Sequence, residues 1–145
     1  MAGRLTLWGA GELLKSYWSQ SASPPQTYYL ALMKDIAPSP FVSGSELDEP
    51  RGLGYTRLAI PNNTVYWSNA SQPQVITMSE SLLFSTATSD WGFVRYWALC
   101  NAEVEGFVYA TGSLETSINV PSGEVVRIPA DVLSISIGPF YAEES

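Results

Sequence analysis

The chain has 145 residues, 46% of them hydrophobic and only 14% charged, with a net charge of −7 from 14 acidic and 7 basic side chains. That length suits one domain able to bury a core without disulfides or metals. The basic residues (Arg4, Lys15, Lys34, Arg51, Arg57, Arg95, Arg127) are scattered and form no stripe, which argues against nucleic acid, and the acidic balance argues against attraction to an anionic membrane. A charged share below the usual ~25% implies a surface that is neutral and polar or covered by other chains.

In chain order, the N-terminal stretch does not read as a secretory signal, because Gly9, Gly11 and Glu12 break the apolar run after Arg4. No run approaches the ~18 apolar residues of a membrane span. Ala10, Leu13, Leu14, Tyr17 and Trp18 follow the spacing of an amphipathic helix, predicted over 8–19. It either packs on its own domain or acts as an arm docking on a neighbouring subunit. Pro24 and Pro25 close this segment. Thr27 to Met33 then alternates as a strand, with Tyr28, Leu30 and Leu32 on one face.

Residues 34–54 form the one long irregular segment, rich in proline and glycine; loops this long are usually functional or disordered. Its acids Glu46, Asp48 and Glu49 read as a solvated cluster rather than a cation site, since calcium loops carry a tighter pattern. Strands are expected over 54–60, 64–67 and 74–78, separated by the turn 61–63 and the polar loop 68–73. The sequons at Asn62 and Asn69 read as coincidence in polar loops. Residues 79–90 read as loop, with an apolar knot at Leu82, Leu83 and Phe84.

The stretch from Trp91 to Ala102 is the predicted central strand. Strict alternation puts Phe93, Trp97 and Leu99 with Arg95 on one face, and Val94, Tyr96, Ala98 and Cys100 on the other. A strand apolar on both faces is covered on both faces. The turn around Gly106 joins it to a second strand over 107–114, making a β-hairpin. Strands over 124–128 and 132–137 follow, the latter with Leu133, Ile135 and Ile137 alternating against serines until Gly138-Pro139 stops it. About eight short strands, one N-terminal helix and no strand–helix alternation predict a mainly β fold, an antiparallel β-sandwich or jelly-roll-like domain. The expected division is a helical arm and linker over 1–26, the sandwich over 27–138, and an acidic tail over 139–145.

Chemistry is sparse. The chain contains no histidine, which removes the commonest general base and metal ligand, and one cysteine cannot make a zinc cluster. Cys100 reads as a buried small hydrophobe. Trp8-Gly9-Ala10-Gly11-Glu12 lacks the strand and spacing of a dinucleotide fingerprint, and no phosphate loop occurs. Asp90 beside Trp91, or Glu103 with Glu105, are the carboxylates that glycosidase chemistry would need, but the latter two sit in an expected exposed hairpin turn, where nothing raises a pKa. We therefore expect no enzymatic activity, no catalytic residues, no cofactor and no metal. Five tryptophans and eight tyrosines invite a sugar-binding alternative, centred on Tyr66 and Trp67 beside the asparagine-rich loop.

The motifs together resemble a family of small bacteriophage virion proteins often labelled phage tail fibre protein. The resemblance rests on Tyr29-Leu30-Ala31-Leu32, on the run from Glu49 to Arg57, and on Trp91-Gly92 leading into Ala98–Ala102. Gly106, Gly112-Ser113-Leu114 and the stretch from Val120 to Ile128 complete it. It implies a non-enzymatic structural role on the virion, assembled in the bacterial host cytoplasm. Without heptads or elongated repeats, a compact domain suits capsid decoration (a cement protein) or the base of a fibre. The expected partners are further copies of the chain, as a homo-oligomer for which particle symmetry suggests a trimer, and capsid or tail proteins. The expected contact residues are Leu13, Leu14, Tyr17 and Trp18 on the helix, with Glu49 and Arg51 on the long loop. In the sugar-binding alternative, a host surface glycan is the partner.

Overall fold

The computed structural model describes residues 1–68 and 74–137. The second sequon, most of the 68–73 loop, the Gly138-Pro139 stop and the acidic tail lie outside the described residues. Its strands are β1 (Ala2–Leu5), β2 (Thr27–Met33), β3 (Leu58–Pro61), β4 (Trp67–Ser68), β5 (Val75–Met78), β6 (Leu82–Leu83), β7 (Gly92–Cys100), β8 (Val108–Val120), β9 (Arg127–Ile128) and β10 (Ser134–Ser136), with one α-helix, α1 (Leu7–Tyr17).

Eight strands make one sheet in the order β3-β2-β7-β8-β1-β10-β5-β4, and β6 with β9 forms a separate two-stranded ribbon. The two edge strands, β3 and β4, are joined by residues 62–66 alone. The sheet therefore curls until its edges stand together, and Tyr28 of β2 meets Trp67 of β4 edge to face at 6.1 Å. The expected mainly β, sandwich-like architecture is present, built from one curled sheet and the ribbon that packs on its core. The interior holds Leu30, Trp91, Trp97, Leu99, Leu133 and Ile135, together with Leu82, Phe84 and Ile128 from the ribbon side. The knot at Leu82–Phe84 is thus a short strand and a core anchor, not merely a loop, although Leu83 faces outward.

The predicted hairpin is the best-paired unit: β7 runs antiparallel between β2 and β8. Its last four residues are buried on both faces, as the apolar pattern required. The interior covers Trp97 and Leu99, while Ala98 and Cys100 belong to a second cluster with Ala31, Met33, Leu47 and Val108. The cover on that outer side is the segment 34–54. Lys34 N–H donates to the Asp48 carbonyl at 2.9 Å, and Gly44 N–H donates to the Gly106 carbonyl at 2.9 Å.

Two β-bulges depart from strict alternation. The register shifts between Val94 and Tyr96, which turns Val94 inward and Phe93 outward, where the Arg95 guanidinium lies 5.5 Å from its ring centroid. Phe93 therefore does not share the face of Trp97 and Leu99. The second shift, between Leu99 and Cys100, leaves Tyr109 as the extra residue of β8.

The N-terminal segment is not a separate arm. Ala2–Leu5 is inserted inside the sheet, antiparallel to β8 and parallel to β10. Thr6 caps α1, its hydroxyl accepting the Gly9 N–H at 3.0 Å. The helix ends where Ser19 and Gln20 turn left-handed, φ 63° and 52°, before the prolines are reached.

Candidate functional site

The 34–54 segment and the strand beside it build a buried charged clamp. Arg57 is 7% exposed and Glu49 8%. The guanidinium grips both carboxylate oxygens, Nε to Oε1 and Nη2 to Oε2, each at 2.9 Å. Its remaining donors reach the carbonyls of Ala102 and Glu105 at 2.8 Å and of Gly44 at 3.1 Å. Tyr55 donates its hydroxyl to Glu49 Oε1 at 2.6 Å, and Arg51 reaches Oε2 at 3.0 Å. Burial pushes the Glu49 carboxyl up, but hydrogen bonds from Arg57 and Tyr55 and the Arg57 charge outweigh it and hold the carboxyl below its ordinary value. Glu49 is thus not a surface contact residue as expected; it tethers the long loop to the β7–β8 turn. Arg51, with half its side chain in solvent, remains on the surface.

The acidic trio does not converge. Glu46 caps Ser43, accepting its N–H at 2.9 Å, and Asp48 accepts the Asp35 N–H at 2.9 Å. No group of acidic or cysteine side chains suited to a metal ion occurs among the described residues. Cys100 is fully buried, and burial pushes its thiol up to about 12.

Helix α1 docks differently from its hydropathy pattern. Its only buried residue is Gly9, where a Cβ would collide with the Tyr109 carbonyl oxygen. Beside it, Trp8 stacks on Phe107 at 4.4 Å and meets Tyr109 edge to face at 4.9 Å. Thr6 donates its N–H to the Tyr109 carbonyl at 2.9 Å, so the second bulge holds the start of the helix. Beyond that first turn the apolar residues face solvent: Leu13 is 44% exposed, Leu14 56%, Tyr17 73% and Trp18 64%. The expected contact residues of the helix form an uncovered ridge.

Gly9, Glu12, Ser16 and the inner side of Leu13 line a half-open cavity of about 240 Å³ at the end of the curl that α1 covers. Leu99, Ala110 and Ile135 are its floor, and Tyr28, Trp67 and Tyr109 are aromatic walls. Tyr28 stands nearly perpendicular to both neighbours, at 78° to Trp67 and 89° to Tyr109, with centroids 6.1 and 5.2 Å away. The bulge is what turns Tyr109 into this space. Among the described residues Glu12 is the only charged one lining the cavity, and its carboxylate pairs with Lys15 at 3.0 Å outside it. Burial, then the neighbouring Tyr109, pushes the Tyr28 hydroxyl up to about 12; burial and the Glu12 charge raise that of Tyr109. Neither hydroxyl has a hydrogen-bond partner among the described residues, nor has the buried Trp67 Nε1.

Of the two candidate sugar-binding residues, Trp67 is therefore a cavity wall, and Tyr66 is half-buried against the core. The pair forms no exposed flat platform. Sequence reasoning missed Tyr28, Tyr109 and Glu12. The only signal for them was the aromatic pair at the start of β2 and the aromatic after the hairpin turn.

No curated protein matches this chain. The family model described as "Podophage GP4 fiber I protein gp80" matches residues 6–136, which takes in α1, both bulges and the cavity. The earlier resemblance to tail-fibre-type virion proteins agrees with that match, and the chain belongs to this family of podophage fibre proteins, with a phage structural role of the tail-fibre type.

Proposed function

We propose that this chain is a non-enzymatic structural module at the base of a podophage fibre, self-associating through the exposed ridge of α1. The observation that carries this reading is that ridge: four large, exposed apolar residues along the second half of α1 and at its C-cap. Exposed apolar patches of this kind mark interaction surfaces. Trp18 alone leaves about 100–150 Å² uncovered, taking roughly 150–250 Å² for a tryptophan side chain, and covering it contributes about 2.5–4 kcal/mol per copy before association costs. The absence of heptads and of elongated repeats in the sequence favours a docked module over a reaching shaft.

The test is solution mass by light scattering over a concentration series, with Trp18→Ala beside the parent. We expect an oligomer that Trp18→Ala dissociates while the melting temperature moves by no more than about 2 °C, as for a surface change. Equal losses of assembly and fold would make the helix simply core. A strict monomer with no affinity for particles would refute the role. Immunogold labelling of virions separates the fibre base from the capsid-decoration reading.

A further inference from the structure

We propose that the cavity beneath α1 binds a small alkylammonium ion, its cationic head held among the rings of Tyr28, Trp67 and Tyr109 under the Glu12 carboxylate. The argument begins with what fills the space. A half-open pocket of about 240 Å³ lies beside a dense core. Helix α1 presents Gly9, Glu12, Leu13 and Ser16 to it and leaves Leu14 and Tyr17 outside. The lid therefore sets a carboxylate, a hydroxyl and a glycine beside one apolar side chain.

The walls set the class of ligand. Tyr28 meets both Trp67 and Tyr109 edge to face, so the three rings form one contiguous aromatic wall rather than a flat stacking platform. Ring faces carry negative quadrupole density and attract a cation within about 6 Å of the centroid, quaternary ammonium groups above all. A carboxylate on the lid adds a full negative charge, and no lysine or arginine lines the cavity. The two unpartnered phenol hydroxyls add oxygen lone pairs of the same sign. The one full charge among the described lining residues is negative, which favours a cation over a neutral sugar or an apolar ligand.

The pairing of Glu12 with Lys15 gives the proposal a signed test. Lys15 competes with the ligand for the carboxylate, so Lys15→Gln should tighten binding and Glu12→Gln should weaken it. Both positions lie on the outer lid, and melting curves would confirm an unchanged fold. The probes are choline, its neutral carbon isostere 3,3-dimethylbutan-1-ol, and methyl glucoside, titrated by tryptophan fluorescence and calorimetry. We expect choline to bind about tenfold more tightly than the isostere, the ratio that 1–2 kcal/mol of cation-specific attraction gives. Equal binding of choline and the isostere would overturn the proposal, as would binding of the glucoside alone, no choline binding at tens of millimolar, or no change in either lid variant.

Discussion

Replacing Arg57 by Met removes one partner of a buried ion pair and leaves the other in place. The Glu49 side chain is 3% exposed and the Arg57 side chain 1%, so little solvent screens either charge. Breaking such a pair costs about 3–5 kcal/mol, because an uncompensated charge stays buried. The carbonyl of Gly44 also loses a buried donor, about 1–3 kcal/mol more. Tyr55 and Arg51 still reach the carboxylate and offset part of this. We expect a net loss of about 4 kcal/mol, a large part of the 5–15 kcal/mol that domains possess. At roughly 3 °C per kcal/mol, the melting temperature should fall by about 12 °C. Urea unfolding of Arg57→Met, Glu49→Leu and the double variant measures the coupling. The double variant should be more stable than Arg57→Met, since it leaves no buried charge. A loss below 1 kcal/mol in Arg57→Met, or a fully additive cycle, would refute the clamp.

Three further outcomes follow from the same structure. Because the folded Glu49 carboxyl lies below its ordinary value of 4.5, its stabilisation is present above that pH and lost as pH falls through the folded value. The stability gap between the parent and Glu49→Gln should thus be flat above pH ~5 and narrow below ~4.5 in pH-dependent urea titrations. Gly9→Ala ought to stabilise an isolated helix by ~1 kcal/mol, but here the methyl meets the Tyr109 carbonyl, so calorimetry should show a net loss of about 1–3 kcal/mol. Cys100 should resist a disulfide reagent in native buffer and react fully in denaturant; rapid native labelling would contradict its burial.

Strands whose pairing partners impose a regular alternation were legible in the sequence. Thr27–Met33 and the β7–β8 hairpin were read from side-chain period and turn residues alone. β1 was not, since four residues containing a glycine carry no period, and its place depends on neighbours far along the chain. The bulges at Arg95 and Tyr109 were invisible for a related reason. An odd excess of unmatched residues, three in β8 at the first shift and one at the second, reverses every later side chain, and nothing local announces it. That is why Phe93 was placed on the face of Trp97 and Leu99 and why Tyr109 went unnoticed as a cavity wall. The helix was found, but the residue that seats it on its own sheet was not. The hydropathy pattern weights Leu13, Leu14 and Tyr17, whereas close approach to a carbonyl selects Gly9. Glu49 and Arg57, eight positions apart, gave no sign that folding would bring them together and exclude water from both.

The position of β1 also bears on how the chain matures during synthesis. Its nearest strand partner in sequence is Ala110 opposite Leu5, and its other neighbour is β10. At ~5–20 residues per second, a ribosome takes roughly 5–20 s to deliver that partner. For those seconds the first strand has no edge to join, and Trp8 lacks both Phe107 and Tyr109. The nascent chain therefore carries an aromatic leading segment that only its last third can shelter. A chaperone held at the exit site should raise the soluble yield of this protein more than that of a fold whose first strand pairs with its second.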